Sequence, residues 1–165
     1  MALLNVLVYP DSRLRAQASS VTKFDQNLKK LTQDMAETMY EAPGIGLAAT
    51  QVNVCKRVIV IDISEEQNDL LTLINPVITE KDGEQVFKEG CLSVPEYYAD
   101  VARAENITVS FQDTEGNHQE INANDLLAVC IQHEIDHLDG KVFVDYLSLA
   151  KRERVRKKML KRKSS

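Results

Sequence analysis

The sequence lacks the features that mark membrane, secreted or low-complexity proteins. No apolar run among its 165 residues reaches about 18, the length that a transmembrane helix needs. Its three cysteines are an odd number, which argues against a disulfide framework and favours reduced thiols. The first 17 residues have no secretion or organelle-targeting pattern, and no repeat divides the chain. We therefore expect a cytoplasmic, monomeric protein with no membrane association, folded as one catalytic domain over residues 1–165.

Charge is divided unevenly along the chain. The net charge is −5, yet positions 151–165 hold nine of the 20 Lys/Arg residues and one of the 25 Asp/Glu residues. The segment 147–163 is predicted to be a helix, whose Val155, Met159 and Leu160 can dock on the body while the cations face solvent. The same cations can instead bind the phosphates of RNA. The pattern alone leaves both interpretations open.

Hydrophobic periodicity predicts helices on both sides of several short strands. Residues 24–42 form an amphipathic pattern that should end near Pro43, and residues from Asn124, a predicted N-cap, to Gly140 form a second helix. A turn is expected at 81–83. Strands are predicted at 58–63, 70–79, 106–113 and 118–123. The expected fold is α+β, with short antiparallel strands packed around a central helix, an N-terminal helix and a basic C-terminal helix.

Residues 132–140 read QHEIDHLDG, which contains the pattern H-E-x-x-H. His133 and His137, two of only three histidines, lie one helical turn apart and can share a metal ion, and Glu134 can act as a general base. The alternative is a pair of core histidines bonded to backbone carbonyls. Because two such histidines are costly to desolvate without a partner, the pattern favours a metal site.

The third protein ligand does not follow from this helix. In metzincin hydrolases a further histidine stands where this chain has Phe143, which excludes that class. Glu153 is the first downstream glutamate, and its basic neighbours suit a solvated helix. Cys130 lies seven residues before His137, about 10 Å along the helix axis, which is too far for three short metal bonds to converge.

Three other candidates lie outside the helix. His118 falls in a predicted hairpin turn, and Cys55 precedes a strand without any motif around it, so both are expected at the surface. Cys91 stands in EGCLSVP (89–95), where the preceding glycine allows close approach of the backbone. By itself this stretch is equally consistent with an inert, buried cysteine in a strand.

Three stretches together resemble a known family. GIGLAATQV (44–52), EGCLSVP (89–95) and QHEIDHLDG (132–140) are similar, in order and spacing, to the signature motifs of the peptide deformylases. These metal hydrolases remove the N-formyl group from the initiator methionine of new bacterial polypeptides. The flanking VLVYPDSRLR, VIVIDI, LINPVI and HLDGKVFVDYLS also look like bacterial members, so the resemblance covers nearly the whole chain.

The resemblance implies roles for residues at matching positions. The metal ligands would be Cys91, His133 and His137. Glu134 would be the catalytic acid and base, and Gln51 and the backbone N–H of Leu92 would hold the carbonyl oxygen. Gly46 would contact the substrate backbone. The methionine pocket would be lined by Ile45, Glu89, Leu126, Val129 and Cys130. Tyr98 stands where many bacterial members have an arginine, which removes a polar substrate contact.

The resemblance also implies a cofactor and partners. Relative affinities of divalent ions favour Zn²⁺ over Fe²⁺ at a Cys/His₂ site, yet the family implies Fe²⁺, one per chain, with Zn²⁺, Ni²⁺ or Co²⁺ able to substitute. The substrates would be N-formylmethionyl nascent peptides. The basic helix, Lys151 to Lys163, would contact the ribosome.

Two other functions compete with this interpretation. A zinc metallopeptidase cleaving internal peptide bonds shares H-E-x-x-H, but it does not account for Cys91 or for GIGLAATQV. A non-enzymatic RNA-binding module with a structural metal would need four protein ligands, and the sequence offers no convincing fourth.

Overall fold

Helices bracket two groups of strands in the computed structural model, which describes residues 2–164. Met1 and Ser165, the ends of the predicted domain, lie outside that range, as does the side chain of Lys163. In chain order the elements are α1 (Gln26–Glu41), β1 (Gly46–Ala48), β2 (Val58–Ile61), β3 (Leu71–Asp82), β4 (Gln85–Cys91), β5 (Val94–Arg103), β6 (Asn106–Gln112), β7 (His118–Asn124), α2 (Asp125–Leu138) and α3 (Leu149–Ser164). The predicted α+β class is confirmed.

The strands form two separate antiparallel sheets. Five of them lie in the order β1-β2-β3-β6-β7, and β4 and β5 pair with each other as a hairpin. The short β1 lies at one edge of the larger sheet, where Gly46 pairs with Ile61 of β2. The hairpin turns at Leu92 and Ser93, between the paired residues Cys91 and Val94. Two of the three signature stretches therefore lie at strand ends.

Helices α1 and α2 cover opposite faces of β2. Val58 and Val60 belong to the apolar cluster of α1, and Ile59 and Ile61 belong to the cluster of α2. All four residues are buried, which explains why β2 reads as a continuous apolar run rather than as an alternating pattern. The sheet thereby holds α2 in a fixed position behind β1.

Helix α1 begins two residues later than predicted because Asp25 is its N-cap. The Asp25 carboxylate accepts a hydrogen bond from the backbone N–H of Leu28 at 3.1 Å. The helix ends at Glu41, and Pro43 follows as predicted. In contrast, Asn124 makes no side-chain capping bond, so its predicted role as N-cap of α2 is limited to its extended backbone.

Several predicted boundaries shift in the structure. Strand β2 ends at Ile61, whereas β3 continues through Asp82, so the turn expected at 81–83 occurs at Gly83 with a φ of 73°. Helix α3 begins at Leu149 rather than at 147. The predictions omitted β1 and the β4–β5 hairpin entirely.

The end of α2 is fixed by the N-terminal segment. Gly140 has a φ of 80°, and a Cβ placed on it would lie 2.5 Å from the carbonyl oxygen of Arg15. The Arg15 guanidinium donates to the carbonyl of Gly140 at 3.1 Å, and Ala18 N–H donates to the carbonyl of Leu138 at 2.8 Å. The last turn of α2 is therefore braced from outside the sheet.

A third apolar cluster joins α3 to the hairpin. Val155 and Met159 are each 1 % exposed and pack in the same cluster as Val94 and Val101 of β5. Val155 and Met159 thus dock as predicted, whereas Leu160, which was also expected to dock, is 40 % exposed because successive residues of a helix point in different directions. Within residues 2–164, no helix has the length and apolar character needed to cross a bilayer.

Candidate active site

Helix α2 places two imidazoles and a carboxylate inside the protein. His133 and His137 are 7 % and 1 % exposed, and their Nε2 atoms lie 3.2 Å apart. They can face the same point because residues four apart on a helix lie one above the other. The H-E-x-x-H pattern therefore brings two imidazole nitrogens together inside the protein, as its spacing predicts.

The hairpin brings Cys91 to the same point. Its Sγ lies 3.3 Å from His137 Nε2, and Sγ and the two Nε2 atoms all lie within 4.8 Å of one another. Tetrahedral ligation with ordinary metal–sulfur and metal–nitrogen bonds requires donor separations of roughly 3.3 to 3.6 Å. The three donors thus fit a single metal ion.

The two imidazoles have opposite pKa shifts. Burial alone would lower the pKa of His133, but the carboxylate of Glu134 and the sulfur of Cys91 outweigh it and raise that pKa well above its usual value. Burial and the charges of His133 and Arg103 lower the pKa of His137, which keeps its imidazole neutral and able to bind a metal. The two imidazoles therefore differ in their electrostatic surroundings, although they lie side by side.

A buried ion-pair chain orients His133. Its Nδ1 lies 2.9 Å from Glu89 Oε1, and Arg103 binds both oxygens of Glu89 at 2.5 and 2.9 Å. Arg103 also donates to Asp136 at 2.9 Å, and the hydroxyl of Tyr146 donates to the same oxygen at 2.6 Å. Burial alone would raise the pKa of Glu89, but the bonds from His133 and Arg103 lower it. Glu89 is therefore an anion that fixes the tautomer of His133.

Glu134 lies next to the three converging donors with one oxygen unbonded. Its carboxylate is 5 % exposed, and Oε1 has no hydrogen-bond partner among residues 2–164. Burial raises its pKa to about 7, a value suited to a group that both accepts and returns a proton near neutral pH. A Cβ placed on Gly46 would lie 2.5 Å from Glu134 Oε2, so only glycine allows this approach.

Gln51 and Leu92 lie on the other side of the donors. The side-chain carbonyl of Gln51 accepts from the N–H of Ala48 at 2.9 Å, so its NH₂ group faces the hairpin. That group donates to Ser93 Oγ at 3.0 Å and to Cys91 Sγ at 3.5 Å. Leu92 follows Cys91 directly in the hairpin turn. Two neutral donor-bearing residues therefore flank the sulfur.

A cleft of about 620 Å³ opens onto this centre. Its lining includes His133, Glu134, Cys91 and Leu92. All six residues expected to bind substrate also line it: Ile45, Gly46, Glu89, Leu126, Val129 and Cys130. Burial, with a smaller effect from Glu134, raises the pKa of Cys130 to about 12, so this side chain is a neutral thiol that packs as a small apolar group.

Comparisons with known proteins agree with this geometry. The family model described as polypeptide deformylase matches residues 3–153. The chain belongs to the polypeptide deformylase family. It is 58% identical to the peptide deformylase of Nitrosococcus oceani over 162 residues, 98% of this chain and 97% of that relative. It is also 58% identical to peptide deformylase 2 of Xanthomonas axonopodis pv. citri over 99% of this chain and 98% of the relative.

Solved structures of deformylases have the same fold. The enzyme of Legionella pneumophila has a TM-score of 0.94 at 48% identity, covering 98% of this chain and 96% of that chain. The enzyme of Ehrlichia chaffeensis in complex with actinonin has a TM-score of 0.96 at 41% identity and covers all of both chains. As a deformylase, the protein is a hydrolase that removes the N-formyl group from nascent polypeptides. The internal peptidase and the RNA-binding module are therefore set aside.

Three of the four rejected ligand candidates are exposed, whereas Cys130 lines the cleft beside the donors. His118 begins β7 and is exposed, Cys55 is exposed, and exposed Glu153 pairs with Arg156 at 3.2 Å. Phe143 packs against the His133 ring, with 6.0 Å between ring centroids. The residue that excluded a metzincin ligand set is thus a wall of the same centre.

Sequence reasoning missed the support around His133. Neither Arg103 nor Tyr146 was singled out, although Asp136 lies within the H-E-x-x-H stretch itself. Glu89 was expected in the methionine pocket. It lines the cleft, but its carboxylate is occupied by Arg103 and His133. The sequence held no local signal for this support, because the buried charges of Glu89 and Arg103 stand where an alternating pattern requires apolar residues.

Proposed function

We propose that Cys91, His133 and His137 hold one Fe²⁺ ion and that Glu134 carries the proton in the deformylation reaction. The observation that carries this proposal is the convergence of one sulfur and two nitrogens in the cleft. Cys91 Sγ lies 3.3 Å from His137 Nε2, and that nitrogen lies 3.2 Å from His133 Nε2. Three protein donors leave room for further ligands, as a catalytic site requires.

The protein residues divide the chemistry among them. When bound, the metal supplies an activated water and polarises the formyl carbonyl. Glu134 Oε1, which has no bond to residues 2–164, takes a proton from the attacking water and returns it to the departing amine nitrogen of methionine. The products are formate and a free amino terminus.

Gln51 and Leu92 hold the carbonyl oxygen in this proposal. The Gln51 amide is neutral, and its orientation is fixed by Ala48, so its NH₂ group needs little rearrangement to bind developing negative charge. The backbone N–H of Leu92 is a second donor on the same side of Cys91. Removing one such donor typically lowers kcat by about 10² to 10³.

The apolar part of the cleft accepts the methionine side chain. Leu126, Val129 and Cys130 line it from α2, and Ile45, 43 % exposed, lies on the opposite wall. Gly46 presents backbone to the substrate because a side chain there would collide with Glu134.

Formate release from formyl-Met peptides tests the proposal. The protein should be purified without oxygen, because a thiolate ligand is prone to oxidation. We expect rapid release from formyl-Met peptides, much slower cleavage of acetyl-Met peptides and no cleavage of internal bonds. Equal rates on formyl and acetyl peptides would contradict it. Metal analysis of the same preparation should give one iron per chain, and zinc as the bound ion of the fully active protein would refute the iron assignment.

The basic face of α3 is proposed to bind the ribosome. Val155 and Met159 anchor the helix, while Lys151, Arg154 and Lys157 are exposed. Because deletion of α3 would also remove the two anchors, charge reversal is the sharper test. Changing these three cations to glutamate should weaken ribosome binding and its salt dependence while leaving formate release from free peptides within twofold.

A matched control keeps the change in net charge the same. Lys23, Lys56 and Lys81 are exposed on the body, and their reversal to glutamate should leave ribosome binding unchanged. If both triple variants weaken binding equally, α3 has no specific role.

We further propose that the chain acts as one catalytic domain and as a monomer in the cytoplasm. Sedimentation of the purified protein and fractionation of cells test these two points.

A further inference from the structure

One wall of the cleft is a short loop whose side chains carry no hydrogen-bonding group. Residues 42–46, here called the cleft loop, connect the end of α1 to β1, and all five line the cleft. A Cβ on Gly44 would lie 2.9 Å from Leu92 Cδ1, and one on Gly46 would lie 2.5 Å from Glu134 Oε2. The loop backbone therefore touches both the proton carrier and a residue proposed to hold the substrate carbonyl.

Backbone bonds hold the cleft loop on both sides: Ala42 N–H donates to the carbonyl of Thr38 in α1 at 3.2 Å, and Gly46 pairs with Ile61 of β2. Gly44 N–H donates to the carbonyl of Met39 in α1 at 2.8 Å, and Asp62 N–H donates to the carbonyl of Ile45 at 2.8 Å. The loop thus spans a gap between α1 and the chain that leaves β2. Its position depends on the distance between these two supports.

Tyr40 and Asp62 join the two supports directly. The Tyr40 hydroxyl, on the last turn of α1, donates to Asp62 Oδ2 at 2.6 Å. Asp62 is 3 % exposed and also accepts from Ser64 N–H and Ser64 Oγ at 2.9 and 2.5 Å, and from Asp69 N–H at 3.1 Å. Asp62 therefore joins three segments. Its carboxylate accepts hydrogen bonds from α1 and from the loop after β2, and its backbone N–H donates to the cleft loop.

The Asp62 carboxylate stays charged and the Tyr40 hydroxyl stays protonated over the whole working pH range. Burial alone would raise the pKa of Asp62, but the hydrogen bonds from Ser64 and Tyr40 lower it to about 2. Burial and the bond to Asp62 raise the pKa of Tyr40 to about 12. A bond from a phenol to a charged carboxylate is among the stronger neutral-to-charged bonds in proteins.

We propose that Tyr40 and Asp62 are positioning residues that set the place of the cleft loop against Glu134 and Leu92, and thereby the orientation of the formyl-Met substrate. The proposal rests on the deformylase activity and the site proposed above. Neither residue lines the cleft or lies among the three metal donors. Their effect should therefore appear in substrate turnover and not in metal affinity.

The central test is Tyr40→Phe, which removes one hydroxyl and keeps the ring. We expect kcat/KM for a formyl-Met tripeptide to fall about 10-fold, since misplacement of reacting groups by a fraction of an ångström has effects of this order. Iron content and affinity should not change. Amide hydrogen exchange of residues 42–46 should become faster. Asp62→Ala should act on the same quantities, and the double variant should lose no more than the worse single variant.

Thr38→Val is the matched control for a simple loss of stability. Thr38 lies on the same helix, is buried, and loses its bonds to Leu4 N–H and the Asp34 carbonyl on substitution. It should lower Tm without changing kcat/KM measured well below Tm. The proposal is overturned if Tyr40→Phe retains kcat/KM within twofold, if it loses iron, or if Thr38→Val loses as much activity.

Failure of the proposed function has a different signature. In that case the wild-type protein releases no formate from formyl-Met peptides. The exchange measurement still decides the positioning role, because unchanged exchange of residues 42–46 in Tyr40→Phe overturns it whatever the substrate is.

Discussion

Helix α2 and the β4–β5 hairpin contribute to one metal centre in different ways. The helix supplies His133, Glu134 and His137 within five residues, at positions that helical geometry alone brings together. The hairpin supplies Cys91 and, through Glu89 and Arg103, the support of His133. Local geometry therefore makes half of the centre, and docking of the hairpin on the helix makes the other half.

The two histidines differ accordingly. His133 Nδ1 is bonded to Glu89, whereas His137 Nδ1 has no hydrogen-bond partner within the described residues 2–164. Because the partner of a metal-binding histidine fixes its orientation and basicity, His133 should depend on the hairpin and His137 on the helix backbone. Substitutions can separate these contributions.

The largest effect is expected for Glu134, the helix residue proposed to move the proton. Glu134→Gln should lower kcat about 10³-fold, since general acid and base catalysis contributes about 10² to 10⁴. Metal content should stay at one per chain because Glu134 is not among the three converging donors. Formate release and metal analysis on the same sample check both points, and loss of metal would make Glu134 part of the ligand set.

Removing the hairpin's ligand should instead reduce metal affinity. Cys91→Ala leaves two of three protein donors, so we expect affinity to fall more than about 100-fold, beyond the usual effect of outer partners. Competition with a chelator measures it. Cys55→Ala is the matched control, since that thiol is exposed and distant in the fold. Unchanged affinity in Cys91→Ala would show that the hairpin is not a ligand-bearing element.

A smaller effect is expected when the hairpin keeps its ligand but loses its ion pair. Arg103→Met leaves Glu89 buried without its cation, so metal affinity should fall about 10- to 100-fold. The free energy of unfolding should fall by about 3 to 5 kcal/mol. Chelator competition and thermal unfolding measure the two effects. The exposed pair of Lys29 with Glu115 gives a control, because Lys29→Met should alter neither quantity measurably. Equal affinity in Arg103→Met and wild type would contradict the dependence of His133 on the hairpin.

The smallest effect is expected at the outer end of the same chain. Tyr146→Phe removes only the hydroxyl that donates to Asp136 and leaves the ring against Arg103 at 5.2 Å. Because this bond reaches His133 only through Asp136, Arg103 and Glu89, we expect metal affinity in chelator competition to fall by only about threefold, less than the 10- to 100-fold effect of a direct outer partner. A loss as large as that of Arg103→Met would mean that Asp136, rather than Glu89, transmits the support.

The helical half of the centre could be predicted from the sequence. Periodicity placed α1, α2 and α3 within a few residues of their observed ends, and the spacing of His133 and His137 follows from the helix itself. The apolar run of β2 and the alternating pattern of β6 were also sufficient. In each case most of the buried positions carry apolar residues, which is the condition under which periodicity is informative.

The hairpin half could not be predicted in this way. Its inward positions include Glu89 and Arg103, both buried, where an alternating pattern would require apolar residues. The two charges compensate each other only after the strands have paired, so neither strand is recognisable alone. Resemblance to a family identified Cys91, but the partners that orient His133 required the three-dimensional arrangement. Local rules are expected to fail at such functional positions.

The glycine at the end of the H-E-x-x-H-x-x-G stretch, Gly140, is explained by packing and not by metal binding. In another hydrolase class this glycine leads to a third histidine, whereas here the carbonyl of Arg15 occupies the space that a side chain would need. Here the glycine is required because it packs against Arg15, a residue more than a hundred positions upstream. A motif search that scores the glycine as part of a ligand signature would misread a steric boundary as metal chemistry.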